Sequence, residues 1–309
     1  LNRQLKRSLH GAVADKLMAA GGTAQEEALA EHLQAAERLA ESVDMRFAAA
    51  LAACASGSAV EALAHLEKGL AVVEALPEGG ERDALELKLR AVQGPTLMVT
   101  RGPGNPAFGA AQARALQLMQ AQGATGELFP VTYNCALHAW AGGRLDEAQT
   151  LAARMFRLYE AERSDAAFLG AHTMAGLIAW HRGESVVAEE HMSATGALYD
   201  PTLHAALYPR FLKDFGVFSH FYRGLALAVQ GRLAEAGQAA ADARELAKRI
   251  RHPHEFGFSL LASFMVAMLA GDVDAAADYA ARAGAFAREQ GFPEFVAMSE
   301  VVAGWARAR

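Results

Sequence analysis

The chain has 309 residues, of which 52% are hydrophobic, so it can bury a large core. Its net charge of −6 argues against a nucleic-acid-binding body, which usually presents a basic face. A membrane partner is not expected either: the longest run without Asp, Glu, Lys, Arg or His, Phe256 to Gly271, is shorter than the roughly 20 residues of a span. We interpret that run as a buried inner helix.

A short turn recurs along the chain. Its glycines are Gly143, Gly183, Gly231 and Gly271, spaced 40, 48 and 40 residues apart, and an alanine stands five residues after each. Self-similarity at this period is typical of a solenoid of stacked helix pairs. The repeat therefore directs attention to a binding surface and away from a catalytic centre.

Each turn lies between two segments with the three-four spacing of apolar residues that predicts an amphipathic helix. A last helix is expected after Pro293. The predicted helices are Val131 to Ala141, Leu145 to Tyr159, Asp165 to Trp180, Ser185 to Ala197, Asp214 to Val229, Leu233 to Ile250, Glu255 to Ala270 and Val273 to Glu289.

The glycine and the alanine each have a mechanical role. Glycine accepts the left-handed backbone geometry that ends a helix. The alanine is expected where the two helices of a pair cross, since a bulky side chain there would force them apart. We therefore predict an all-α fold, a right-handed superhelical solenoid of antiparallel helix pairs of the tetratricopeptide type, with fourteen or fifteen helices.

The repeat extends in both directions. Gly57 begins another unit with the same spacing, and a sixth unit is expected around Gly104. The next turn glycine would fall two residues beyond the last residue, and the chain lacks an initial methionine. We therefore expect a piece of a longer protein that is cut mid-repeat at its C-terminus.

The interval between Gly183 and Gly231 is eight residues longer than its neighbours. Insertions in solenoids commonly map to loops on one face, often the binding face. Asp214 directly precedes a helical segment, so a capping role is favoured for it. The candidate partner-binding residues in or beside this insert are Tyr199, Asp200, His204, Tyr208, Arg210 and Asp214.

No catalytic, cofactor-binding or metal site is predicted. His172, His181 and His191 are spaced so that they do not share one face, and no HExxH or CxxC is present. The glycine-rich stretch Arg101 to Pro106 lacks the GK[ST] that a phosphate loop needs, so it is interpreted as a turn.

The two cysteines, Cys54 and Cys135, are 81 residues apart in apolar, helix-like surroundings. This predicts buried free thiols in a reducing compartment, and hence a cytoplasmic protein.

Several stretches along the chain form a recognisable set of motifs. They are Leu9 to Ala14, Ala30 to Leu33, Glu61 to Leu70, Leu76 to Pro77, Glu86 to Leu89, Leu198 to Pro201 with His204, Asp214 to Val217 and Gly304 to Trp305. Together they resemble the C-terminal tetratricopeptide-like region of large bacterial signalling proteins, the predicted ATPases and class III adenylate/guanylate cyclases. The resemblance covers nearly the whole chain and keeps the order of the motifs.

In that family a cyclase or other output domain is followed by an AAA-type ATPase domain and then by the helical array. The resemblance implies that residues 1–22 form a lead-in helix from a preceding ATPase domain and that residues 23–309 form the repeat array. It also implies that the N-terminal ATPase or output domain of the same chain is a partner, and it carries over no active-site residue.

Two functions of different classes remain open. The first is a non-catalytic module that binds a protein or peptide partner on its concave face. The alternative is a small-molecule effector-sensing domain, as in maltose-activator-like transcription regulators, which predicts an apolar pocket with a few polar groups between repeats.

Overall fold

The structure is a computed structural model, and it describes residues 2–20, 26–102, 104–122, 128–211 and 213–309. These residues form helices and turns, and no strand is found among them. The chain divides into two compact units, Leu1–His138 and Ala139–Arg309.

The first unit is built from helices that pack against their neighbours in sequence. Helix α3 also contacts α5, so alternate helices meet as well as consecutive ones. The helices are α1 (Arg3–Ala20), α2 (Glu26–Ala35), α3 (Leu39–Ala55), α4 (Ala59–Glu74), α5 (Gly80–Arg101), α6 (Pro106–Gln122) and the beginning of α7 (Leu128–Ala141).

The second unit continues the pattern of helix pairs. The first helices of successive pairs form a row in which α9 contacts α13, α13 contacts α15 and α15 contacts α17. After the end of α7, its helices are α8 (Leu145–Glu162), α9 (Asp165–His181), α10 (Ser185–Leu198), α11 (Pro201–His204), α12 (Tyr208–Phe211), α13 (Phe215–Val229), α14 (Leu233–Ile250), α15 (Pro253–Ala270), α16 (Val273–Gln290) and α17 (Pro293–Arg307).

The predicted all-α fold of tetratricopeptide-like antiparallel helix pairs is confirmed. The predicted helices lie within three residues of the observed ones. Without the single-turn helices α11 and α12, fifteen remain among the described residues, as the repeat length predicted.

The repeat turns explain why the pairs form. All five turn glycines have φ between +74° and +83°, a conformation that favours glycine. In each turn the N–H after the glycine donates to the carbonyl five residues back at 2.8–3.0 Å, which is a Schellman motif. The glycines are Gly57, Gly143, Gly183, Gly231 and Gly271.

The alanine five residues after each turn glycine is buried at the helix crossing, as predicted. Each of these alanines is 0% exposed. A Cβ on Gly176 would lie 3.3 Å from the carbonyl of Ala188, and one on Gly224 would lie 3.4 Å from that of Ala236. The backbones therefore approach closely where the sequence places small residues. The alanines are Ala62, Ala148, Ala188, Ala236 and Ala276.

Helix α15 is the apolar run noted in the sequence. By length and composition it could cross a membrane, but 56% of it is buried inside the protein. Residues from Leu260 to Phe264 are all buried, and the helix packs on α13, α14, α16 and α17. Its interpretation as a buried inner helix is confirmed.

Two details differ from the expectations. The left-handed glycine between α5 and α6 is Gly102, with φ +84°, and not Gly104; Pro103 lies outside the described residues. Cys54 is a buried free thiol, as predicted, and burial raises its pKa to about 11. Cys135 is not in a disulfide but is only half-buried, because it packs at the edge of a core cluster that includes Leu87 and Val131.

Candidate functional site at the insert between α10 and α13

The long interval predicted from the glycine spacing is a true insert. After α10 ends at Leu198, the chain forms α11, a 3₁₀ turn over Ala205–Leu207 and α12 before α13 begins at Phe215. The insert interrupts the repeat in the middle of the second unit. Leu212 lies outside the described residues, as does the side chain of Pro209.

Asp200 and His204 hold the beginning of the insert. Asp200 caps α11: its Oδ1 accepts from the N–H of Thr202 at 2.7 Å, and these backbone hydrogen bonds lower its pKa. The Asp200 N–H donates to Nδ1 of His204 at 2.9 Å. His204 Nε2 is then the protonated nitrogen and lies 3.4 Å from the carboxylate of Asp165 on α9. These two predicted residues thus stabilise the insert itself.

Tyr199 and Asp214 close the other end of the insert. The Tyr199 hydroxyl donates to Oδ2 of Asp214, and Oδ1 of Asp214 accepts from the N–H of Val217 at 2.9 Å. Asp214 is therefore the N-cap of α13, as its position predicted. Gly216 makes the contact possible, because a Cβ there would lie 2.5 Å from the Tyr199 ring.

A second carboxylate, from Glu255, lies near Asp214. Burial and then the charge of Glu255 raise the pKa of Asp214 to about 6. Burial, and after it the charge of Asp214, raises the pKa of Tyr199 as well. Ionisation of a buried carboxylate close to a second one is costly, so the charged form of Asp214 is destabilised.

Glu255 itself is poorly satisfied. Its side chain is 1% exposed, and its Oε1 lies 3.3 Å from Nδ1 of His254. Its Oε2 has no hydrogen-bond partner among the described residues. The Lys213 ammonium lies over the ring of Phe218, 3.7 Å from the centroid, and burial lowers its pKa to about 8 while Glu255 opposes that change. This arrangement was not predicted from the sequence, because a glutamate side chain is ordinarily exposed.

Tyr208 and Arg210 lie on α12. The Tyr208 ring is 4.0 Å from the ring of His252, at the loop before α15, and both Tyr208 and Arg210 are half-buried. The structure therefore pairs Tyr199 with Asp214 and Asp200 with His204, while Tyr208 contacts His252 in the loop before α15. Among the residues of the insert that the structure describes, the most exposed large apolar side chain is that of Leu203, at 71%. It was not among the predicted site residues.

The histidines behave mainly as hydrogen-bonded structural groups, which was the favoured interpretation. One part of that interpretation is wrong: His172 on α9 and His191 on α10 meet across the helix pair, with their Nδ1 atoms 3.1 Å apart. Burial lowers the pKa of both, that of His172 to about 4. Within the described ranges, no group of three or more His, Cys, Asp or Glu side chains is placed to hold a metal ion.

A cavity adjoins the insert on the side of α10 and α14. Its volume is about 270 Å³, and Tyr199 forms part of its wall. Polar side chains converge on it from α13 and α14, namely His220, Asp242, Glu245 and Arg249. Sequence reasoning missed these residues. The two glycines of its wall, Gly196 and Gly216, were the available signal, because glycine inside a helix often marks a close approach.

The fold places the chain among helical-repeat proteins of the tetratricopeptide type. It is similar to the crystal structure of a Rap protein complexed with competence and sporulation factor. The two chains are 15% identical with a TM-score of 0.58, and the match covers 84% of this chain and 69% of that one. It is also similar to the apo form of RapI: 10% identity, TM-score 0.52, covering 86% and 71%. No protein-family model matches the sequence, and no curated protein matches it. At these identities the likeness shows the fold.

Proposed function

We propose that the chain is a non-catalytic repeat module that binds a protein or peptide partner. The observation that carries this is the insert, an interruption of the repeat whose described residues are held by hydrogen bonds of side chains. Four side chains hold it. The Tyr199 hydroxyl donates to the carboxylate of Asp214, and the His204 ring accepts from the backbone N–H of Asp200 and lies 3.4 Å from the carboxylate of Asp165. A pre-ordered loop loses little conformational entropy on binding, so its contacts contribute more fully to affinity.

Leu203 is the proposed anchor of the partner. It is 71% exposed at the end of α11, where Asp200 fixes the backbone by two capping hydrogen bonds. A large apolar side chain on a rigid turn can fill a pocket of a partner and act as a hot spot. The likeness to a Rap protein crystallised with competence and sporulation factor supports a partner of this class. The row of first helices would supply the rest of a concave face.

The resemblance to signalling ATPases and cyclases supports a regulatory setting. In that setting the array belongs to a bacterial, cytoplasmic protein, and partner binding biases an ATPase or output domain that precedes it. The stacked helix pairs suit this role, because each repeat contacts its neighbours and strain passes along the stack.

Leu203→Glu tests the proposal, with Val301→Glu as the matched control. Val301 is 73% exposed on α17, so both variants place one charge at an equally exposed apolar position. Peptides are selected from a displayed random library on the unaltered chain and then measured on both variants. We expect Leu203→Glu to weaken binding roughly tenfold or more, as for a hot-spot residue, and Val301→Glu to preserve it. Equal binding to both variants would remove the insert as the partner site.

A second function, small-molecule sensing in the manner of maltose-activator-like regulators, is favoured by one observation. The cavity of about 270 Å³ lies between helices of neighbouring repeats, where that hypothesis places an effector. Its charged lining suits a polar effector better than an apolar one. A thermal-shift screen separates the two functions, since a tight ligand of the folded state raises the melting temperature.

A further inference from the structure

The cavity beside the insert is formed by the approach of three helices. It lies between the end of α10, the beginning of α13 and the second half of α14. Gly216 allows Tyr199 and Leu246 to pack against the backbone of α13, since a Cβ at this position would lie 2.5 Å from Tyr199 and 2.7 Å from Leu246. At Gly196 the closest atom to an added Cβ is Oγ of Ser219, at 3.6 Å. The walls are therefore set by backbone packing, and space remains at Gly196.

The cavity has an acidic part and a basic part. Asp242, Glu245 and Arg249 line it from α14 and follow the i, i+3, i+7 spacing that places side chains on one helix face. Glu245 and Arg249 are one turn apart, about 6 Å along the axis, and Asp242 and Arg249 are about 10 Å apart. A ligand along this face meets carboxylates at one end and a guanidinium at the other.

The arginine at the basic end, Arg249, has no carboxylate partner in the part of the chain that the structure describes. Among the described residues, no carboxylate lies within ion-pair distance of Arg249, whereas Arg232 and Arg223 pair with Glu235 and Glu189. Its side chain is exposed, so it can reorient toward a ligand. Arginine binds a carboxylate through two parallel hydrogen bonds, which makes a free carboxylate its natural ligand.

The acidic end is only lightly occupied. Asp242 accepts a hydrogen bond from the Gln238 amide at 2.8 Å, and Glu245 pairs with Lys248 at 2.7 Å. The Lys248 and Glu245 side chains are 55% and 70% exposed, so solvent screens their attraction and a cation can replace Lys248 at little cost. His220, from α13, also lines the cavity and offers a further polar group.

The size and the charge pattern together select the ligand. A volume of about 270 Å³ is close to that of nine water molecules, which suits a molecule of roughly ten non-hydrogen atoms. An amino acid with an uncharged side chain carries both charges around one carbon and cannot span a helical turn. A basic amino acid can, because its side-chain cation lies several carbons from its carboxylate. Tyr199 and Leu246 would cover the aliphatic stem between the two charges.

We propose that this cavity binds a basic amino-acid residue with a free carboxylate, either as the free amino acid or at the C-terminus of a peptide. Arg249 binds the carboxylate, and Asp242 with Glu245 binds the side-chain cation. The site goes beyond partner binding at the insert and stands without it, because Leu203 is not part of its lining.

Isothermal titration of the full chain tests the site with defined probes. Lysine and arginine should bind, whereas cadaverine, which lacks the carboxylate, and norleucine, which lacks the cation, should each bind roughly tenfold to hundredfold more weakly. Gly-Gly-Lys should bind more tightly than its C-terminal amide, which lacks the carboxylate, and its comparison with free lysine distinguishes the peptide source from the free amino acid. Tighter binding of Gly-Gly-Lys than of lysine assigns the site to a peptide end, and the reverse assigns it to the free amino acid.

Variants assign the binding to the cavity. Arg249→Gln should weaken lysine about tenfold or more and abolish its advantage over cadaverine, while Arg251→Gln, the loss of a nearby charge outside the lining, should change nothing. Gly196→Leu fills the cavity without altering a charge and should abolish binding. Leu203→Glu should leave it intact, which separates this site from the insert. Equal binding of lysine, cadaverine and norleucine, no binding of any probe, or equal losses in Arg249→Gln and Arg251→Gln would overturn the proposal.

Discussion

The buried carboxylate of Asp214 makes a strong prediction about stability and pH. Burial and the charge of Glu255 raise its pKa from an ordinary 3.8 to about 6. Each tenfold difference in proton affinity corresponds to about 1.4 kcal/mol, so the full effect is about 3 kcal/mol. The folded carboxyl holds its proton more tightly than the unfolded one. The raised pKa therefore contributes fully to the free energy of unfolding below pH 3.8, and this contribution is lost as the pH rises through about 6.

The substitution Asp214→Asn removes the charge and keeps an oxygen to cap α13 through the Val217 N–H. We expect the variant to be more stable than the unaltered chain at pH 7.5, by up to about 3 kcal/mol, and the difference to shrink as the pH falls toward 4. Urea unfolding across this range measures the difference. A ¹³C titration of the Asp214 carboxyl measures the pKa directly, and Glu255→Gln should lower it.

The matched control is Asp272→Asn. Asp272 is the N-cap of α16 and accepts from the Ala275 N–H at 3.0 Å, but it is exposed. Its substitution should leave the pH profile of stability parallel to that of the unaltered chain. If Asp214→Asn also gave a parallel profile, or if the unaltered chain gained stability relative to it as the pH rose from 4 to 6, the electrostatic argument would be refuted.

The repeat geometry yields two further predictions, both measured by urea unfolding. Gly231→Ala places a side chain at φ +79° and should lower the free energy of unfolding by about 1 kcal/mol. Gly237→Ala lies within α14, where an added Cβ would meet nothing within 4 Å, and should raise it by roughly 0.5–1 kcal/mol. Changes of the same sign would contradict the turn assignment. Ala236→Leu overfills a crossing that is 0% exposed and should cost about 1–3 kcal/mol, while the exposed Ala234→Leu should stay within about 0.5 kcal/mol, and equal effects would mean that the crossing is loose.

The candidate site was only partly predictable. The glycine interval located the insert, and the position of Asp214 before a helix indicated its cap, because both signals are local. The sequence did not indicate that Tyr199 would donate to Asp214, since that bond depends on the path of the intervening insert. The burial of Glu255 could not be predicted either, because it depends on helices far from this residue in sequence.

The repeat period, the turn glycines and the crossing alanines determine the helix pairs from the sequence alone. The reason is that hairpins are short-range structures, and each residue acts on partners within about one helix length. The cavity was decided only by the tertiary structure. His220 and Asp242 line the same cavity, and Gly216 lies against Leu246, only when α13 and α14 pack in one particular register. That register follows from the packing of every side chain along both helices, so no single residue type predicts it.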